Sequence, residues 1–303
     1  MSAPADPALR HARVAVPASS ANLGPGFDAL AVALDVRLEA RTTPRGEQRV
    51  VTTGAGAGEL PSGDDNLVWR TLVGFCEWAG AHVPDVSVQV DNPIPLERGL
   101  GSSAAAAVAG LALGRALTGA PASAHELIAL ASELEGHADN AAAAVLGGLT
   151  LCRPGGAARL EPSEGLRPVV CVPQVRQSTD AARGLLPDSV PLADAAANGG
   201  RVAAVLAGLV GMVPLDVEAM TDVLHEPARL GAMPASGQLI TALRGDGIPA
   251  CLSGAGPSVL AVVAAGSRAA VQRVGTLAGA GWRVWPTAWD RRGVTACAGT
   301  PAL

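Results

Sequence analysis

The chain contains no lysine: every one of its 22 basic residues is arginine. That absence removes one class of nucleotide enzyme, because a P-loop needs Gly-x-x-x-x-Gly-Lys-Ser/Thr with the lysine on the phosphates. Tyrosine is missing too, and the aromatic set is two Phe and five Trp. With a net charge of −5 and dispersed arginines, nucleic acid is not an expected partner. The five cysteines, Cys76, Cys152, Cys171, Cys251 and Cys297, form no Cys-x-x-Cys and no Cys/His cluster, which argues against zinc. An odd number of scattered thiols fits a reducing cytoplasm. No apolar run approaches the ~20 residues needed to span a bilayer. Residues 1–12 lack an apolar segment and read as a frayed terminus, not a signal peptide. A cytoplasmic location with no membrane partner follows.

Hydrophobic residues make up 49 % of the 303 residues and charged residues 16 %, enough for a large core of Ala, Val and Leu. The length allows two domains. Alternation marks strands at 32–38 and 86–90, with shorter ones at 14–16 and 50–53. Helical patterns occupy 66–80, 102–118 and 122–134, and Gly110 and Gly114 would let the second of these pack closely on a neighbour. A Gly/Pro-rich stretch over 153–167 suggests a boundary, giving expected units of 12–160 and 161–303. Beyond it the pattern predicts a strand at 168–175 and helices at 201–211, 217–224 and 237–245. Further strands are predicted at 258–264, 282–287 and 294–298. Strands mixed with helices without a strict βαβ repeat indicate an α+β class.

The most informative stretch is Pro95-Leu96-Glu97-Arg98-Gly99-Leu100-Gly101-Ser102-Ser103-Ala104-Ala105, a glycine turn opening onto an Ala-rich helix. The first turn of a helix has free N–H groups and partial positive charge, which suits an anion. Ser102 and Ser103 add hydroxyls for phosphate or a metal ion. An ordinary loop with a Ser-capped helix is an equal alternative for this stretch alone. The Gly-x-Gly-x-x-Ala spacing also fits a dinucleotide turn, but Pro93 and Pro95 precede it, where such a turn follows a central parallel strand.

Three motifs in order, Pro-x-Ser-Ser-Ala-Asn-Leu-Gly-Pro-Gly-Phe-Asp ending at Asp28, Pro-x-x-x-Gly-Leu-Gly-Ser-Ser-Ala-Ala from Pro95, and Ser-Gly-Ala-Gly-Pro-Ser from Ser253, resemble the GHMP small-molecule kinases. The first motif together with Glu135-Gly136-His137-Ala138-Asp139-Asn140 resembles the homoserine kinase family within them. The resemblance runs from about Val14 to the C-terminus. It implies a two-domain GHMP kinase fold, with a ribosomal-S5-like N-terminal domain and a ferredoxin-like C-terminal one. It also implies ATP with Mg²⁺ on the loop 95–105, and phosphoryl transfer to L-homoserine for threonine synthesis.

Residue by residue, the resemblance puts Ser103 and Glu135 at the metal and Asn66 on the nucleotide side. Asn22, Asp28, His137 and Asn140 match the amino-acid pocket, Arg183 and Arg229 the substrate carboxylate, and Thr179 a hydroxyl near the transferred phosphoryl group. Asp28, Glu135, Thr179 and Arg183 are the residues expected to bear on catalysis. The chemistry agrees: Mg²⁺ takes a few hard oxygens plus phosphate, and a guanidinium fork matches a carboxylate. Singly, each has an ordinary explanation: an Asx turn for Asp28, a satisfied structural ring for His137, a solvated charge for Glu135, a surface residue for Arg183. Glu133 competes with Glu135 for the metal. The sequence reads His-Ala-Asp-Asn where relatives often have His-Pro-Asp-Asn, which touches local rigidity and not the ligands. Mevalonate kinase is thought to use an Asp/Lys pair; without lysine, direct in-line transfer is expected. Another GHMP kinase acting on mevalonate or a sugar, and a non-catalytic ligand sensor, are the competing readings. A homodimer is compatible with the sequence.

Overall fold

The structure, a computed structural model, describes residues 11–298; most of the segment expected to fray, residues 1–10, lies outside them. Two sheets organise the chain. The first has seven strands: β1 (Ala12–Ala21), β2 (Leu30–Pro44), β3 (Val50–Gly54), β4 (Val86–Asn92), β5 (Leu149–Arg153), β6 (Gly156–Leu160) and β11 (Thr295–Ala298). Its main path is β11-β1-β2-β4-β3, with the β5–β6 hairpin joined to β2. Among the described strands, only β3 and β4 pair in parallel. From Leu34 to Thr42, β2 alternates buried and more exposed side chains, the pattern of a strand with one face on the core.

Four helices cover that core. Helix α2 (Ser102–Thr118) and α4 (Asp139–Leu146) lie against β1 and β2, with α1 (Leu67–Trp78) and α3 (Ala124–Glu135) packed on α2. Two of these helices begin at side-chain caps. Asn66 caps α1 by accepting from the Val68 N–H, and Ser123 with Glu126 forms a capping box on α3. Helix α2 is buried on nearly all sides. A Cβ on Gly110 would lie 1.9 Å from Thr71 Oγ1 and 2.2 Å from Val68 O, so the glycine lets α1 and α2 approach.

The second sheet is antiparallel, ordered β10-β7-β9-β8, from β7 (Leu166–Pro173), β8 (Ala250–Leu252), β9 (Val259–Ala264) and β10 (Trp282–Pro286). Helices α8 (Pro234–Gly245) and α9 (Arg268–Ala278) pack on it. The break proposed near residue 160 falls between β6 and β7. Residues after β10 nevertheless return to the first sheet: β11 pairs with β1, and Leu34 bridges Trp289. Arg37 secures the return by donating to Asp290 and to the carbonyls of Ala15 and Gly293.

Several local expectations are corrected. Residues 217–224 form turns, not a helix, because Asp222 Oδ2 accepts from the N–H groups of Leu224, His225 and Glu226 and starts α7 (Glu226–Ala232) there instead. Helix α6 (Leu192–Leu209) begins nine residues before Arg201 and runs through Gly199 and Gly200. The Gly/Pro stretch after Arg153 contains β6, since Gly155 at φ 88° turns the hairpin. No helix among the described residues is long and apolar enough to cross a membrane. All five cysteines are free.

Candidate active site

Three glycine-bearing loops meet: the segment after β1, residues 95–103 and the segment after β8. The segment after β1 is backbone-strained: Asn22, Leu23 and Asp28 have φ of 69°, 52° and 54°. Such conformations persist where surrounding contacts over-determine them. Asn22 supplies one contact, accepting from the Asp28 N–H at 3.1 Å and donating to Gly254 O at 2.9 Å. The Gly254 N–H in turn donates to Ala21 O.

The second loop, 95–103, closes against the third. A Cβ on Gly99 would lie 2.0 Å from Ser253 O. Ser253 Oγ is 2.7 Å from Gly99 O and 2.8 Å from Ser20 Oγ, so one hydroxyl ties all three loops. Gly101, at φ 66°, is the N-cap of α2, and no side chain caps that helix start. Its first-turn amides are a ready anion site. Arg98 faces away from this role. Its guanidinium donates to the carbonyls of Leu96, Pro173 and Gln174 and pins the loop to the end of β7. Ser102 Oγ turns inward to Asn92 and Ile94, whereas Ser103 Oγ donates to Glu135 Oε1 at 2.5 Å. Of the two serines, Ser103 is thus the one whose hydroxyl faces Glu135.

A cavity of about 160 Å³ lies over these loops. Its wall includes Pro95, Glu97, Arg98, Gly99, Leu100, Gly101, Ser102 and Ser103 on one side, and Asn22, Asp28, Glu135, His137, Asn140, Thr179, Arg183 and Arg229 on the other. Ala104 and Ala105 are buried behind it. A second, more apolar cavity of about 300 Å³ shares Glu97, Ser102 and Ser103 with the first. Leu96 and Asn66 line it, but both polar ends of the Asn66 amide are engaged, by Val68 N–H and Pro61 O.

Charge in the first cavity is unevenly paired. Arg183, on the short helix α5 (Thr179–Arg183), holds Asp28 bidentately at 2.9 and 3.1 Å. The bond to Asp28 raises the Arg183 pKa. Arg229, on α7, is 2 % exposed. It donates to Ala182 O, Gly254 O and His225 Nδ1, and has no carboxylate partner among the described residues. Burial, and then the nearby Arg183 charge, lower its pKa. Phe27 lies beneath both guanidinium groups, at 5.5 Å from Arg183 and 5.3 Å from Arg229. His137 Nδ1 is 2.9 Å from Asp139 Oδ1, which raises the ring's pKa. Ser19 Oγ fixes the Asn140 amide at 2.8 Å.

Sequence reasoning singled out neither Phe27 nor His225. Phe27 stood inside a quoted motif; His225, next to Glu226-Pro227, had no signal beyond its residue type.

Residues 66–148 match the family of GHMP kinases N terminal domain. Homoserine kinases of Streptomyces avermitilis and Streptomyces coelicolor are each 44 % identical over 302 residues. The first match covers 96 % of this chain and 98 % of the relative; the second covers 96 % of each. A crystal structure of homoserine kinase from Cytophaga hutchinsonii superposes with a TM-score of 0.82 at 29 % identity, covering 95 % of this chain and 98 % of that one. A mevalonate kinase structure shares the fold alone, with a TM-score of 0.68 at 12 % identity over 92 % of this chain and 99 % of the other.

Proposed function

The chain belongs to the homoserine kinase family of GHMP kinases, and on that premise we propose that it transfers the γ-phosphate of ATP to the side-chain hydroxyl of L-homoserine. The product is O-phospho-L-homoserine, a precursor for threonine synthesis. The observation that carries the reading is the buried Arg229 guanidinium, without a carboxylate partner, facing a cavity that already holds the Asp28–Arg183 pair. A buried charge needs a counter-charge. A zwitterionic amino acid supplies its carboxylate to Arg229 and Arg183 and its ammonium to Asp28. Mevalonate has no ammonium for Asp28, and a neutral sugar has no charge for any of the three.

In this reading the nucleotide base occupies the apolar cavity beside Leu67, Val68 and Leu96, and the phosphates lie over the α2 amides shared by both cavities. Ser103 Oγ and Glu135 Oε1, 2.5 Å apart, are the hard oxygens suited to a nucleotide-bound Mg²⁺. Among the described residues no three His, Cys, Asp or Glu form a group that could hold a metal ion, so its other ligands would be phosphate and water. Bound there, the ion would neutralise charge on the phosphates. The protein's own part is positioning: the acceptor hydroxyl is held near Asn140, His137 and Thr179, in line with the loop. With no lysine in the chain, transfer proceeds by alignment and charge stabilisation.

A coupled assay over L-homoserine, mevalonate and galactose tests the proposal. Turnover of homoserine at least a hundredfold above the others is expected. Turnover of mevalonate or galactose in preference would replace it with another kinase, and ligand binding without ADP release would replace it with a sensor.

A further inference from the structure

His225 does not itself line the first cavity, yet it joins the turn at Gly24 to Arg229 in the cavity wall. The ring is fully buried. Its Nε2 is 2.9 Å from Gly24 O, and its Nδ1 is 3.2 Å from Arg229 Nη1. A carbonyl only accepts and a guanidinium only donates, so the proton must sit on Nε2 and the lone pair on Nδ1. The tautomer is therefore dictated by the two neighbours. Burial pushes the ring's pKa down, in keeping with a neutral imidazole.

The ring's surroundings leave it little freedom. It stacks on Phe27 at 5.2 Å between centroids. Asp222 Oδ2 holds its backbone N–H at 2.7 Å. Gly24 packs closely on Met220, whose O a Cβ there would meet at 2.3 Å. Neighbouring Pro25 is clamped through its carbonyl by Asn198 Nδ2 at 2.7 Å. The imidazole thus transmits the position of a rigid turn, Gly24–Pro25, to the Arg229 fork.

We propose that His225 is a positioning residue for substrate selection: its Nδ1 aims Arg229 at the carboxylate of the amino-acid substrate, with the ring held by Gly24 O. This rests on homoserine being the substrate. Without that bond the guanidinium stays charged and keeps its bonds to Ala182 O and Gly254 O, but loses the acceptor that helps to orient Nη1. The loss then falls on carboxylate recognition and not on phosphoryl transfer.

Two isosteric variants separate the ring's two functions. Gln places an amide N–H near the Nε2 position and keeps the bond to Gly24, but offers nothing at Nδ1. Asn places its carbonyl oxygen near Nδ1 and keeps the acceptor for Arg229. His225→Gln is expected to raise the homoserine KM about tenfold while kcat falls less than threefold and the ATP KM is unchanged, since a hydrogen bond to a charged group is worth about that factor. His225→Asn is expected to stay within threefold of the parent KM. L-Homoserine amide, which lacks the carboxylate, is expected to lose no more than twofold with either variant. Equal KM losses in both variants, or an equal loss on the amide, would make His225 a packing residue and overturn the assignment. If neither variant folds, ¹⁵N spectra of the histidine-labelled parent decide. A neutral Nε2-protonated ring whose Nδ1 shift moves with homoserine but not with the amide is expected, and its absence refutes the proposal. Failure of the underlying function is seen separately, as no phosphorylation of homoserine by the parent enzyme.

Discussion

Arg183 holds Asp28 with both ends of its guanidinium, at 2.9 and 3.1 Å, bringing together residues 155 positions apart in sequence. The pair carries the same two charges as an α-amino acid, in complementary order. A zwitterion can therefore enter by exchange, its ammonium meeting Asp28 and its carboxylate Arg183, with no new charge buried alone.

Because the pair is shared in that exchange, its members should not act independently. Asp28→Asn and Arg183→Gln are each expected to lower kcat/KM for homoserine by one to two decades, the effect of a charge-assisted bond worth ~1.5–3 kcal/mol. The double variant should lose clearly less than the product of the two. Steady-state kinetics of all four proteins checks this; strictly multiplicative losses would place the residues in separate roles.

Arg229→Leu should cost homoserine a similar one to two decades in kcat/KM, and Arg229→Lys should recover only part, since an ammonium lacks the fork. The neutral amide of homoserine is expected to be a poor substrate on which the Leu change matters little. The same rate loss on both substrates would make Arg229 structural.

Glu135→Gln should reduce kcat at least a hundredfold with a homoserine KM changed by less than threefold, because the lost charge acts at the phosphates. Exposed Glu133 supplies the comparison. Glu133→Gln is expected within twofold of the parent in both constants.

Gly101 and Gly119 share a φ of 66°, but a Cβ on Gly101 would lie 2.0 Å from Ser19 Oγ while nothing lies within 4 Å at Gly119. Gly119→Ala should therefore cost only the conformational penalty, about 1–2 kcal/mol. Gly101→Ala should in addition weaken ATP binding more than tenfold by calorimetry, and Gly101→Val should abolish it. Equal ATP affinities in the two Ala variants would remove the loop from the nucleotide site.

His225 is held neutral by burial, against the pull of Asp222 and Glu226. Its native pKa lies below the ordinary 6.5, so below that pH the unfolded chain takes up a proton that the folded one refuses. Stability should fall as pH drops from 6.5 toward the native value and level off beneath it. His225→Asn should flatten that slope by up to one proton in urea titrations between pH 5 and 7.

What was legible in the sequence travelled in contiguous motifs. Ser103, Gly99, Asp28 and Asn140 each sit in a run with neighbours that line the same cavity. Arg98 shows the limit of that reasoning: it belongs to the phosphate motif, yet its guanidinium binds the end of β7, a contact 75 residues away. His225 and Phe27 depend wholly on tertiary neighbours and left no periodic trace. Local chemistry misled at 217–224, where apolar spacing suited a helix but the Asp222 carboxylate accepts from the amides of Leu224, His225 and Glu226, and the helix begins only at Glu226. Helix α6 was half hidden because Gly199 and Gly200 are poor helix formers, and its buried Asn198 bond to Pro25 O is invisible without the fold.

The return of β11 to β1 has a further consequence. The second sheet is not appended to the first but nested within it, entered after β6 and left before β11. Two chain crossings join the sheets instead of one, so any movement of one against the other must bend both connections at once. Calorimetry should accordingly record one endotherm for the whole chain, and a protease cut in an exposed turn of either half should expose both to digestion together.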